Sequence, residues 1–100
     1  MKKISNIHPG EILKEEFLIP FNISAYRLAK DTNIPPTRIS QIIKGKRSIT
    51  VDTALRLSKY FGTTPDFWLG LQMEYDLREE SILKVKDIRA IKTISAVHNM

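Results

Sequence analysis

Between Ser24 and Thr50 the chain reads SAYRLAKDTNIPPTRISQIIKGKRSIT, a stretch rich in groups suited to reading a polyanion. Pro36, Thr37, Ser40, Gln41 and Lys44 recur at the spacing that puts side chains on one side of a helix. On that outer side the Gln41 carboxamide matches the donor and acceptor of adenine in a major groove. Thr37 offers a methyl to thymine or a hydroxyl to a base edge. Arg38 fits a guanine edge or a backbone phosphate, and its type does not decide between them. Lys44, Lys46 and Arg47 follow as phosphate anchors. Ser24 and Pro36 mark helix starts whose free N–H groups add phosphate contacts. A purely solvated role is the alternative for each of these side chains.

Positioning those groups requires two short helices and a tight turn. Ser24 is a good N-cap for the first of the two. Leu28 and Ala29 face inward there, flanked by Tyr26 or Ile23, and the helix stops near Thr32-Asn33. Ile34 fills the core from the turn. Pro35-Pro36 starts the next helix, because proline suits the first helical position. Ile39, Ile42 and Ile43 form its inner face, and Gly45 ends it as a left-handed residue. Ala29 is small enough for two helices to cross steeply. Asn33, four residues on, is the non-glycine residue that best tolerates positive φ. The spacing predicts a helix-turn-helix; an ordinary helical hairpin is the competing arrangement.

The flanks extend this to an all-α bundle of five helices, or six. Pro9-Gly10-Glu11-Ile12 opens a first helix, with Ile12, Leu13, Glu16 and Phe17 on one face and Pro20 at its end. Thr50 caps a fourth, Val51 to Phe61, with Ala54, Leu55, Leu57 and Ser58 on its inner side; Gly62 ends it. Thr64-Pro65-Asp66 starts a fifth, carrying Phe67, Trp68, Leu71, Tyr75 and Arg78 at helical spacing. Residues 1–80 read as one helix-turn-helix domain. Residues 81–100 read as an extension, a short helix or a strand, in which Ile82, Val85, Ile88, Ile91 and Ile94 recur every third residue.

Charge supports the same centre. Residues 24–50 carry six cations against Asp31, while residues 1–23, 51–80 and 81–100 carry net 0, −3 and +3; the whole chain is at +5. No apolar run is long enough to span a bilayer and no apolar signal region follows the basic Lys2-Lys3 start, so a cytoplasmic location is expected. Catalysis is not expected. The chain has no cysteine, its only histidines, His8 and His98, lie at opposite ends, and Glu15 and Glu16 are adjacent and do not face one another. No phosphate-cradling glycine loop, metal site or cofactor site is visible. Phe67 and Trp68 suit a core better than a small-ligand pocket. Leu69, Met73 and Leu77 exceed what one small bundle buries, so a homodimer interface is expected there.

Several motifs together resemble the HigA (VapI-type) antitoxins of the Xre/Cro-type, lambda-repressor-like helix-turn-helix proteins. They are His8-Pro9-Gly10-Glu11-Ile12-Leu13 with Glu16-Phe17-Leu18, Ile39 through Thr50, Ala54-Leu55-Arg56-Leu57, and Thr64 through Gln72 with Tyr75-Asp76-Leu77. The resemblance covers roughly residues 8–80. It implies a homodimer that binds its own operator DNA and neutralises a HigB-type, RelE-like, ribosome-dependent mRNA interferase; a stand-alone repressor without a toxin is the alternative. Two departures stand out. Ala25 occupies the place where many related repressors carry a DNA-contacting glutamine, and Pro35-Pro36 removes a side-chain donor that relatives sometimes place near the bases.

Overall fold

The computed structural model describes residues 6–95. Lys2 and Lys3 of the basic start, and residues 96–100 of the extension with His98, lie outside the described residues. The elements are α1 (Pro9–Ile12), which continues as a π-helix over Leu13–Leu18, then α2 (Ala25–Thr32), α3 (Pro36–Ile43), α4 (Val51–Phe61), α5 (Pro65–Leu83) and α6 (Val85–Arg89). Among the described residues there is no strand, so the helical alternative holds for the part of the extension they include.

Local chemistry accounts for most boundaries. Ser24, Thr50 and Thr64 accept the N–H groups of Arg27, Thr53 and Phe67, each capping the helix that follows. Gly62 ends α4 at a φ of 75°. His8 caps α1 through its Nδ1, which accepts the Gly10 N–H at 2.9 Å. The π-helix was not expected. Leu13 and Leu18 are both buried, yet in an α-helix side chains five residues apart point about 140° away from each other. The wider register brings both to the core, while Glu16, placed on the inner face by simple periodicity, is exposed. Pro20, which has no N–H to give, lies in the turn just beyond.

Leu13, Leu18, Leu28, Ile34, Ile39, Ile42, Leu57 and Trp68 make the centre of one core shared by α1 to α5. One expectation about it fails, and one alternative is decided. Leu55 is 53% exposed, because Ala54, Leu57 and Ser58 already fill the buried arc of α4. Tyr26 is 71% exposed, and Ile23 is the flanking residue that packs on the core. Trp68 is fully buried against Phe17, Phe61 and Phe67, and its indole N–H donates to Thr63 at 2.8 Å, so it is a core residue and lines no ligand pocket.

Gly10 is the tightest point of the packing. A Cβ built on it would lie 1.7 Å from the Ile42 carbonyl oxygen, a backbone atom that cannot swing aside. Gly10→Ala is therefore expected to destabilise by about 3 kcal/mol or more, lowering the melting temperature by roughly 10 °C or more. A melt within a few degrees of the parent would show that α1 can shift freely off α3.

His8 supplies a pH dependence. Burial, partly opposed by the Asp76 carboxylate, pushes its imidazole below the ordinary 6.5. Its Nδ1 can accept the Gly10 N–H only when unprotonated. The folded state thus binds fewer protons than the unfolded chain. The stabilisation is complete above the unfolded value and is lost as pH falls below it toward the folded one. Melting temperature is expected to drop between about pH 7 and pH 5. In His8→Asn, which keeps an acceptor without titrating, that slope should flatten; an unchanged slope would move the effect to another group.

Candidate nucleic-acid interface

The turn between α2 and α3 closes as the sequence requires. Asn33 adopts a φ of 57°, and its N–H and that of Ile34 both reach the Ala29 carbonyl, the latter at 3.1 Å. Ala29 itself is buried where the two helices meet. Ile34 is fully enclosed, which fixes the direction in which α3 departs. Arg56 of α4 donates to the Thr32 carbonyl at 3.1 Å and so satisfies a backbone group left open at the end of α2.

This geometry leaves one side of α3 uncovered. Pro36, Thr37 and Lys44 are exposed, and Ser40 and Gln41 half-buried, on the side opposite Ile39 and Ile42. Lys46 and Arg47, also exposed, follow in the loop that leaves the helix. Ser24 is exposed at the start of α2; its Oγ accepts the Arg27 N–H at 3.0 Å, a bond that does not use its own hydroxyl proton.

Arg38 stands apart from this group. Its guanidinium reaches across to α4, 2.7 Å from the Asp52 carboxylate, with the Thr53 hydroxyl at 3.5 Å. Asp52 also takes Arg56 at 3.1 Å. The Arg38 hydrogen bond, followed by that of Arg56, holds the Asp52 carboxyl below its ordinary range. Asp31 is likewise held down, first by the Tyr60 hydroxyl at 2.7 Å and then by Arg27. These acids tie α2 and α3 to α4, but the pairs are exposed and contribute orientation more than stability.

Three residues in this frame escaped the sequence reading. Asp52 was visible only as an acid in a helix first turn. Arg56 carried no signal for its reach to α2. Gln72, on α5, is buried and its amide oxygen accepts the Ile49 N–H at 2.8 Å, which fastens the loop after α3 to the long helix. A polar residue in the middle of an apolar helix face is the one hint that was available.

On α5, Leu69 is half-buried, while Met73 and Leu77 are 63% and 61% exposed. With Ile49, Gln72, Asp76 and Glu80 they line a shallow apolar groove. Among the described residues no group of histidines and acids could hold a metal ion, and no helix is long and apolar enough to cross a membrane.

Comparison with known proteins places this arrangement. A helix-turn-helix family description matches residues 13–68. Virulence-associated protein I of Dichelobacter nodosus is 53% identical over 72 residues, which are 72% of this chain and 67% of that protein. Other curated regulators are matched over 63% or 64% of their own length. The structure of a HigA-family addiction module antidote protein from Coxiella burnetii superposes with a TM-score of 0.83 at 50% identity, covering 90% of this chain and 98% of that one. The Pseudomonas aeruginosa antitoxin HigA, solved with the higBA promoter, superposes with a TM-score of 0.86 at 38% identity, over 90% of this chain and 99% of its own. The chain therefore belongs to the Xre-type helix-turn-helix family, in the branch of the HigA and VapI antitoxins.

Proposed function

We propose that this chain is the antitoxin and autorepressor of a type II toxin–antitoxin module. As a homodimer it binds its own operator DNA, and it neutralises a HigB-type, RelE-like mRNA interferase. The observation that carries the DNA part is the uncovered side of α3, set by the left-handed Asn33 turn and followed by exposed cations. A relative of the same fold was solved with a promoter, which supports the same partner.

In this reading α3 enters the major groove. Pro36, Thr37, Ser40 and Gln41 face base edges, and Ser24, Lys44, Lys46 and Arg47 meet the flanking backbone. Arg38 is reassigned. Its ion pair with Asp52 makes it a brace between α3 and α4, and base reading would require that pair to break. Residues 1–80 form the DNA-binding domain, with α5 as its dimerising helix through Leu69, Met73 and Leu77. Residues 81–100 are an extension of that domain and not a separate one. The protein works by binding alone, with no reaction and no cofactor, in the cytoplasm where its operator lies.

A salt titration of binding to the DNA upstream of its own gene tests the groove reading. Neutralising roughly six to ten phosphates gives a log–log slope of about −5 to −9; a flat response would sink it. The antitoxin reading predicts a small basic ribonuclease-like reading frame beside this gene, whose expression should arrest growth and whose co-expression with this chain should restore it. Normal growth without this chain would leave a repressor and remove the antitoxin.

Leu77→Lys and Met73→Lys place like charges face to face across the proposed two-fold axis. Sedimentation should show the parent as a dimer at micromolar concentration and both variants shifted to monomer, with weaker binding to a palindrome whose half-sites lie about 34 Å apart. A parent that sediments as a monomer would exclude α5 as the interface.

A further inference from the structure

The loop after α3 does more than carry charge. Gly45, at a φ of 74°, turns the chain back on the helix it has just left. The Gly45 N–H bonds to the Ile42 carbonyl at 3.0 Å and the Lys46 N–H to the Gln41 carbonyl at 2.8 Å, the two bonds of a Schellman closure. The next residue, Arg47, is thereby delivered beside the Gln41 side chain. Its Nε donates to Gln41 Oε1 at 2.7 Å. A guanidinium has donors and no acceptor, so only the amide oxygen can face it. The Gln41 NH2 is therefore turned the other way. An amide free to rotate suits adenine, which needs the oxygen and the nitrogen together. An amide oxygen has two lone pairs; with one already taken by a cation, the amide offers more donor than acceptor capacity to a base. Its two N–H donors match base edges that offer acceptors: guanine O6 and N7, or thymine O4.

We propose that Arg47 is a positioning residue which sets the Gln41 amide so that this position reads a keto base, guanine or thymine, in preference to adenine. The inference rests on the DNA-binding reading above and adds to it a role for Arg47 beyond phosphate contact. Gly45 is the backbone device that makes the pair possible, because a side chain there is strained at positive φ.

The test is selection from short duplexes randomised over one half-site, using the parent, Gln41→Ala, Arg47→Ala, Arg47→Lys, Lys46→Ala and the Gln41→Ala/Arg47→Ala double variant. Gln41→Ala marks the base pair concerned. The parent should prefer a keto base there. Arg47→Ala should lower discrimination at that pair by roughly tenfold, and the double variant should lose no more discrimination than Gln41→Ala alone. Arg47→Lys, which keeps the charge without the planar Nε–H, should keep most affinity and lose part of the preference. Lys46→Ala should weaken all sequences alike and leave the preference intact. Unchanged melting temperatures confirm that these surface variants fold. Uniform weakening of every sequence by Arg47→Ala, or an adenine preference that survives it, would overturn the proposal while DNA binding stands. A parent that binds no duplex would remove both.

Discussion

The closest constraint in the molecule is the approach of α1 to the end of α3. Gly10 sits where any side chain would strike the Ile42 carbonyl, and much of the architecture is arranged around that contact. His8, two residues earlier, caps α1 with its Nδ1 and presents its ring edge to Tyr75 of α5, the centroids 4.9 Å apart. The same ring lies against Gly45, at the point where α3 ends. Asn6 then donates to the Tyr75 carbonyl and the Glu79 carboxylate, at 2.9 and 3.0 Å. The start of the described chain, the end of α3 and the proposed dimer helix thus meet in one cluster. A dense interior transmits displacement and does not absorb it, so the orientation of α3 relative to α5 is set there.

Around that cluster the polar contacts divide by burial. The Gln72 bond to the Ile49 N–H is buried, and losing it would strand a backbone donor at a cost of about 1–3 kcal/mol. The ion pairs of Asp52 and Asp31 are exposed. Pairs of that kind contribute little to stability, yet each decides where a cation points. Asp52 draws Arg38 away from the outer side of α3, and Arg47 holds Gln41 in one orientation. The interior places α3, and surface hydrogen bonds then select which of its side chains are presented.

That division also explains what the sequence disclosed. Caps at Ser24, Thr50 and Thr64, the left-handed residues Asn33 and Gly45, and the apolar spacing of Ile39 and Ile42 are local, and local chemistry is written in neighbouring residues. The π-helix was hidden because two arcs of side chains compete over Leu13–Leu18, and the core, not the periodicity, chooses between them. Leu55 was misplaced for a related reason: an apolar residue beside a buried arc reads as part of it until packing shows the arc already full. Arg38 with Asp52 joins helices that only the fold brings together. Arg47 with Gln41 is nearer in sequence, but it depends on a side-chain orientation that spacing does not specify.

The long helix shows how far one chain can satisfy its own surface. α5 runs 19 residues, and only Trp68 and Gln72 on it are buried. Beyond Gln72 the helix is held on one side by the contacts of Asn6 and His8 with Tyr75 and Glu79. On the groove side Met73 and Leu77 stay in solvent, and further along Ile82 and Leu83 do too. The exposed Glu80–Lys84 pair at 3.5 Å adds a few tenths of a kcal/mol at most. Most helical stability in a protein comes from a packed apolar face, so the strip from half-buried Leu69 to exposed Met73 and Leu77 is the part of α5 with most to gain from cover. A two-fold axis lying along the strip would set it against its own copy, the self-complementary arrangement of closed dimers. Asp76 and Glu80 rim that strip, and like charges brought together there would oppose pairing. Asp76 accepts the Gln72 amide at 3.0 Å, a bond within α5. The residue that fastens the loop after α3 therefore also holds a carboxylate at the rim of the proposed interface, which links the placement of α3 to the surface on which two copies would meet.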